Sequence, residues 1–197
     1  MYSVILATFL FLVNTSSLDE IKRHTQGITR FKGNFIVSKT AEDKDTQSIE
    51  GEFIFAEKGL KLVIFLSKKD TIIYYYMGDS LFWTTNTDTF LNLSVGENGI
   101  ETNVTSWWDF IHSNFKIQEV EKNDGNYVLT LENQKRNQLP NLIKASLNKE
   151  GFPEYITLES QENNKSSDIS IDIENVNVIK EGKQTFDLPS NRTIKQW

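Results

Sequence analysis

The sequence predicts a mainly β protein of the α+β kind. The expected architecture is a single strongly curved antiparallel sheet forming an unclosed half-barrel, lidded by short helices. Three observations carry this. From Phe31 onward, apolar side chains recur at alternate positions in run after run. Turn signals at Lys58-Gly59, Lys68-Lys69-Asp70, Gly78-Asp79, Asp124-Gly125 and Lys149-Glu150-Gly151 split these runs, and connections that short force antiparallel neighbours. The stretch "IIYYYMGDSLFWTT", residues 72–85, carries bulky groups on both faces, whereas a hairpin with one wet face needs only every second residue apolar.

Taken in order, the first residues are apolar from Val4 to Val13 and then small and polar, "NTSS". That run is too short to span a bilayer but matches the core of a secretory signal, although no Lys or Arg precedes it. Residues 1–16 are therefore expected to be a signal peptide cleaved near Thr15 to Ser17, with one domain over 17–197. In "SSLDEIKRHTQGITRF", Ser17 is a plausible N-cap with Glu20 at capping-box spacing. Leu18, Ile21, Thr25 and Ile28 make one narrow apolar stripe, so an amphipathic helix interrupted near Gly27 is expected.

The period then changes to two. "FKGNFIVSKT" alternates through Phe31, Gly33, Phe35 and Val37, and the polar run Ala41 to Ser48 reads as a turn. Strands are expected at 49–56, 60–66, 71–77 and 80–85. Gly96, Asn98 and Gly99 mark a loop. Val104, Trp107, Trp108 and Ile111 follow at helical spacing beside Phe110 and Phe115, predicting a short, very apolar helix. Two more hairpins turn at Asp124-Gly125 and at Lys149-Glu150-Gly151. Ile169, Ile171 and Ile173 alternate strictly, and the step to Val176 and Val178 is consistent with a bulge. The total is nine or ten strands. A sheet of that size must either close or have its concave face covered.

Composition narrows the function. The net charge of -6 and the lack of a basic stripe argue against nucleic acid. With no cysteine, a disulfide framework, a thiol nucleophile, thiolate metal sites and lipidation on cysteine are excluded. His24 and His112 are expected to be solvent-facing helix residues, since neither has partners at ligand spacing, so no metal site or cofactor is expected. The pairs Asp168/Asp172 and Glu159/Glu162 read as solvated edges, and no nucleophile elbow, phosphate loop or zinc motif occurs. No enzyme is expected.

The chain holds 13 Phe, 6 Tyr and 4 Trp. Phe53 and Phe55 share one strand face, as do Leu60, Leu62 and Ile64, and Ile72, Tyr74 and Tyr76. The opposite faces still hold Ile54, Val63, Phe65, Ile73 and Tyr75. Two arrangements accommodate this surplus. The sheet can be covered by helices on one side and by a loop or tail on the other. Alternatively, its concave face lines an apolar cavity that buries acyl chains, at roughly 0.8 kcal/mol per methylene. In the second case Phe35, Phe53, Phe55, Leu62, Ile64, Tyr74, Tyr76, Leu81 and Trp83 are the candidate wall. Trp107, Phe110 and Ile111, sharing one helical face, are the candidate lid.

The order of the amphipathic helix, "RFKGNFIVSKT", "EGEFIFAEKGLKLVIF", "IIYYYMGDSLFWTT", the apolar helix, "NDGNYVLTLENQ", "ASLNKEGFPEYITLES" and a terminal "FDLP" resembles the periplasmic outer-membrane lipoprotein carrier family, LolA. The likeness runs from about Leu18 to Pro189. It implies an unclosed barrel covered by helices, whose cavity accepts the acyl chains of lipoproteins. It further implies a monomeric periplasmic carrier, loaded by an inner-membrane lipoprotein-releasing transporter and unloaded at an outer-membrane receptor. Lipid shuttles and stress sensors share the half-barrel, so a lipid-binding sensor or regulatory module is the alternative. One departure is notable. The family's Arg-Pro pair at the end of the second strand, which ties the lid, is replaced here by Glu57, Lys58 and Gly59, leaving Lys58 or Lys61 as candidate substitutes.

Overall fold

The computed structural model describes residues 17–41, 44–57, 59–67, 69–78, 80–85, 89–94, 102–133, 142–162, 165–179, 188 and 193–196. Twelve strands form one sheet: β1 (Phe31–Ala41), β2 (Lys44–Ala56), β3 (Gly59–Phe65), β4 (Thr71–Met77), β5 (Ser80–Thr84), β6 (Thr89–Ser94), β7 (Phe115–Asn123), β8 (Asn126–Asn133), β9 (Leu142–Leu147), β10 (Pro153–Glu162), β11 (Lys165–Val178) and β12 (Thr193–Gln196). Helices α1 (17–25) and α2 (Trp107–Asn114) complete the described elements. The spatial order is β12-β6-β5-β4-β3-β2-β1-β11-β10-β9-β8-β7, and β12 and β7 are not paired with each other, so the barrel is unclosed. Every neighbouring pair is antiparallel except β12 with β6, which is parallel.

Two strands exceed the expected nine or ten. In β6, "TFLNLS", the alternation is too short to separate from the loop that follows it, and β12, "TIKQ", has one apolar residue and no pattern at all. The polar run from Ala41 to Ser48 is not a turn. β2 already begins at Lys44, with Ser38 opposite Ser48 and Lys39 opposite Gln47, because main-chain pairing continues outward from the apolar part of the hairpin whatever the side chains. The Asp124-Gly125 hairpin forms as the dipeptide demands, with positive φ at both residues (49° and 89°). The bulge in β11 centres on Asn175 at φ 54°, where the register against β1 shifts between Lys32 and Asn34.

Cross-strand register defines a continuous inner face. Phe31 lies opposite Phe55, Gly33 opposite Phe53, Phe53 opposite Leu62 and Phe55 opposite Leu60, while Phe35 and Val37 face Ile173 and Ile171 of β11. Beyond β11 the same face continues through Ile156, Ala145 and Leu129 to Val120. Three cores follow. The largest packs Ile21 of α1 and Ile111 of α2 against Leu129, Leu131, Ile143 and Leu147. The second gathers Phe31, Phe35, Phe53, Phe55, Phe110 and Phe152. The third lies on the outer face, where Tyr75, Phe90 and Leu188 are buried with Ile73, Met77 and Phe82 against them. The double-sided hairpin of residues 72–85 therefore has Leu188, of the terminal "FDLP", buried against its outer face.

Candidate functional site: an apolar cavity under helix α2

Helix α2 starts where its capping chemistry allows. Ser106 accepts a hydrogen bond from the Asp109 amide at 3.2 Å, Asp109 sits in the first turn and His112 in the last, both favourable to the helix dipole. Val104, expected inside the helix, precedes it and is buried in the second core. At the other end Asn114, itself buried, donates to the Phe110 carbonyl at 2.9 Å. Eight residues are too few to be helical alone, so packing holds α2 in place.

That packing is aromatic. Trp107 and Phe110 stack on each other at 5.3 Å and 14°, and both meet the sheet edge-on. Trp107 stands against Phe31 (5.3 Å, 76°) and Phe55 (5.5 Å, 80°), and Phe110 against Phe55 (5.4 Å, 79°). Two hydrogen bonds fix Trp107 further. Its amide donates to the Ile28 carbonyl at 2.8 Å, and its indole Nε1 donates to the Gly151 carbonyl at 3.2 Å. The receiving turn is rigid: the Asn148 side chain accepts from the amides of Glu150 and Phe152. Gly151 has φ +85°, and a Cβ there would run into Thr25 of α1, so only glycine lets this turn reach both helices.

Between α2 and the inner face lies a cavity of about 340 Å³. Its wall is Phe31, Phe35 and Val37 of β1, Phe53 and Phe55 of β2, Leu60, Leu62 and Ile64 of β3, Ile171 and Ile173 of β11, and Pro153 and Ile156 of β10. Trp107 and Phe110 form the remaining side. No lining residue is charged. The glycines matter to its shape. A Cβ on Gly33 would stand 2.8 Å from the Phe53 ring, and one on Gly51 would collide with the Phe35 ring and the Val63 carbonyl. Each phenylalanine thus lies across the bare backbone of the glycine directly opposite it.

Of the residues the sequence offered as wall, Phe35, Phe53, Phe55, Leu62 and Ile64 line this cavity. Tyr74, Tyr76, Leu81 and Trp83 do not. Register keeps them on the same inner face, Tyr74 opposite Leu62 and Tyr76 opposite Leu60, with Trp83 and Leu81 one strand further, and all four are half-buried. The cavity is centred under α2, which sits over β1 and β2, so its wall ends at β3. Alternation along a strand assigns a face but not how far a cavity extends across strands. The wall residues contributed by β10 and β11 were missed because Ile156, Ile171 and Ile173 look like any half-buried strand residues.

The lid expectation divides. Trp107 and Phe110 do border the cavity, but Ile111 belongs to the other core, with Leu129, Leu131 and Ile143. Successive helical residues are 100° apart, and α2 lies along the boundary between the two cores, so residues 110 and 111 serve different ones. Of the two candidate replacements for the family's arginine, only Lys61 is among the described residues, and it does not tie this lid. Lys61 projects from the outer face over the Tyr75 ring, 5.3 Å from its centroid, and Lys58 is outside the described residues. Glu57 instead faces Arg30 at 3.7 Å. The tie observed is the Trp107 indole on Gly151.

Among the described residues no cluster of His, Asp and Glu could hold a metal, and no helix is long and apolar enough to cross a membrane. His24 and His112 are exposed on their helices. The expected signal at residues 1–16 lies outside the described residues.

No family model and no curated protein matches the chain. Among solved structures it is similar to a LolA superfamily protein from Nitrosomonas europaea, at 10% identity and TM-score 0.45, covering 85% of this chain and 94% of that one. It is similar to a DUF1329 family protein from Desulfovibrio piger at 11% identity and TM-score 0.45, covering 86% and 94%. It is also similar to the lipoprotein LppX from Mycobacterium tuberculosis, at 14% identity and TM-score 0.43, covering 87% and 97%.

Proposed function

We propose that this protein is an exported, non-catalytic carrier that holds the acyl chains of lipoproteins in the cavity under α2 and shuttles them from the inner to the outer membrane through the periplasm. One observation carries the reading: a cavity of about 340 Å³ whose whole lining is hydrocarbon and aromatic, beneath a short helix held by a few contacts. If a methylene takes the ~30 Å³ share of a liquid water, the space holds about eleven of them. At ~0.8 kcal/mol each the gross gain is about 9 kcal/mol, and the entropy of association leaves only part of it as affinity. That range gives binding that is real yet reversible, as a carrier needs. Charged substrates have no partner in such a lining, and neither does a reaction intermediate.

In this reading α2 shifts as a chain enters past it. In the empty state Trp107 and Phe110 cover phenylalanines that would otherwise form an exposed apolar patch. An entering chain replaces those ring contacts, and the polar contacts that resist the shift are the Trp107 indole on Gly151 and the Trp107 amide on Ile28. A releasing transporter at the inner membrane and a receptor at the outer membrane are the partners this cycle calls for.

The test is to isolate the protein in its native compartment and analyse bound species by mass spectrometry, then to titrate the delipidated protein with a fluorescent fatty-acyl probe. Co-purified lipoprotein or lipid and saturable uptake are expected. Clean protein that takes up no probe overturns the reading. Depletion separates cargo transport from sensing: loss of a carrier strands lipoproteins at the inner membrane, whereas loss of a sensor leaves their distribution unchanged.

A further inference from the structure

The inner face does not end with the cavity. On the β7–β10 side it is closed by the core around Ile21 and Ile111. On the other side the wall stops at Leu60, Leu62 and Ile64, and the next residues on the face are Tyr76, Tyr74 and Ile72, directly opposite them. A long-chain ligand with a polar end cannot place that end in the hydrocarbon lining, where a polar group would lose its hydrogen bonds to water and find no replacement. It also cannot pass through the Ile21 core. The first hydrogen-bonding side chains it meets across the sheet are the two tyrosines.

We propose that Tyr74 and Tyr76 form a neck site that receives the carbonyl of an uncharged acyl ester or amide, so that the protein selects esterified chains over free fatty acids. The proposal rests on the acyl-carrier reading and names the ligand class within it. Both phenols are half-buried, and neither hydroxyl has a hydrogen-bond partner among the described residues. Among the described residues, then, nothing occupies either donor. Burial, and then the neighbouring Tyr74, holds the Tyr76 phenol above its usual range, so it stays a neutral donor. Neutral donors suit a carbonyl. A carboxylate would instead want a cation; among the described residues Lys39, two residues beyond Val37 at the far end of β1, lies on this face and is exposed.

The experiment compares monomyristoylglycerol, the corresponding tetradecyl glyceryl ether, which lacks the carbonyl, and myristate, each displacing a fluorescent acyl probe from the delipidated protein. The ester is expected to bind about ten-fold more tightly than the ether, the yield of one or two new hydrogen bonds. In Tyr74→Phe/Tyr76→Phe that ratio is expected to fall to near one, with the melting temperature confirming that the sheet is intact. An ester-to-ether ratio near one in the native protein, or a ratio that survives the double substitution, overturns the neck site while the acyl-carrier reading stands. Tighter binding of myristate than of the ester, lost in Lys39→Gln, overturns it too, by placing the polar end at the mouth. Failure of all three ligands to displace the probe overturns the neck site, and failure of the probe itself to bind overturns both readings.

Discussion

At Gly51 the cavity depends on a missing side chain. Its Cβ position is claimed by the Phe35 ring and by the Val63 carbonyl, and the second is main chain that cannot swing aside. Gly51→Ala is therefore expected to destabilise the fold by about 1–3 kcal/mol, as overpacking does. Gly33→Ala should cost less, because its first obstacle is a ring that can tilt. Urea unfolding of the two variants checks the order, and equal midpoints would contradict it. Trp107→Phe keeps a ring against Phe31 but removes the donor to Gly151. It is expected to lose on the order of 1–2 kcal/mol and to speed uptake of an acyl probe in stopped flow. None of these pairings was legible in the sequence. Gly33 and Gly51 stood in plain alternation, but only register shows which phenylalanine covers which glycine, and the indole's partner lies 44 residues away.

At the level of elements, period and turn chemistry placed β3, β4 and β5 to within about a residue of the expected 60–66, 71–77 and 80–85, because turn signals bound each of them closely. What failed were the outer half of the β1–β2 hairpin and β12, which main-chain pairing extends without an apolar pattern, and β6, whose one buried anchor, Phe90, gives too little alternation to read. The helices were legible as amphipathic stretches, but the division of α2 between two cores was not, since it depends on where the helix crosses the sheet. Helix α1 is tied to β7 by Glu20, whose carboxylate meets Lys122 Nζ at 2.6 Å. That hydrogen bond from Lys122, then one from Tyr127, holds the Glu20 carboxyl below its usual range. The folded state thus binds this proton less readily than the unfolded chain, so the contribution is present above the ordinary glutamate value and disappears as pH falls through the lowered one. Acid titration should loosen α1 in that window, and Glu20→Gln should flatten the response when followed by amide exchange in residues 17–25. A response unchanged by the substitution would contradict this. On α2, Phe110→Ala is expected to cost about 3 kcal/mol, at the low end for a phenylalanine because one side of the ring already borders empty space.

For the whole molecule, the distribution of cover over one sheet is what counts. Helices close the inner face over β7–β10, α2 roofs the middle, and Leu188 closes the outer face of β4–β6, leaving an apolar cavity between. Family resemblance in the sequence anticipated the unclosed, helix-covered sheet, and the aromatic surplus anticipated that both faces would be used. Where the cavity ends could not be anticipated, because curvature across strands leaves no mark in the spacing along them. The measurement that tests the central claim most directly is a chain-length series. Monoacylglycerols of increasing length are titrated into delipidated protein while tryptophan emission and affinity are followed. Trp107 should change environment on binding, and affinity should climb several-fold per added methylene until about eleven carbons are buried, then level off, with Phe110→Ala moving the plateau to longer chains. Affinity indifferent to length, or emission that never changes while ligand binds elsewhere, would contradict a cavity built for acyl chains.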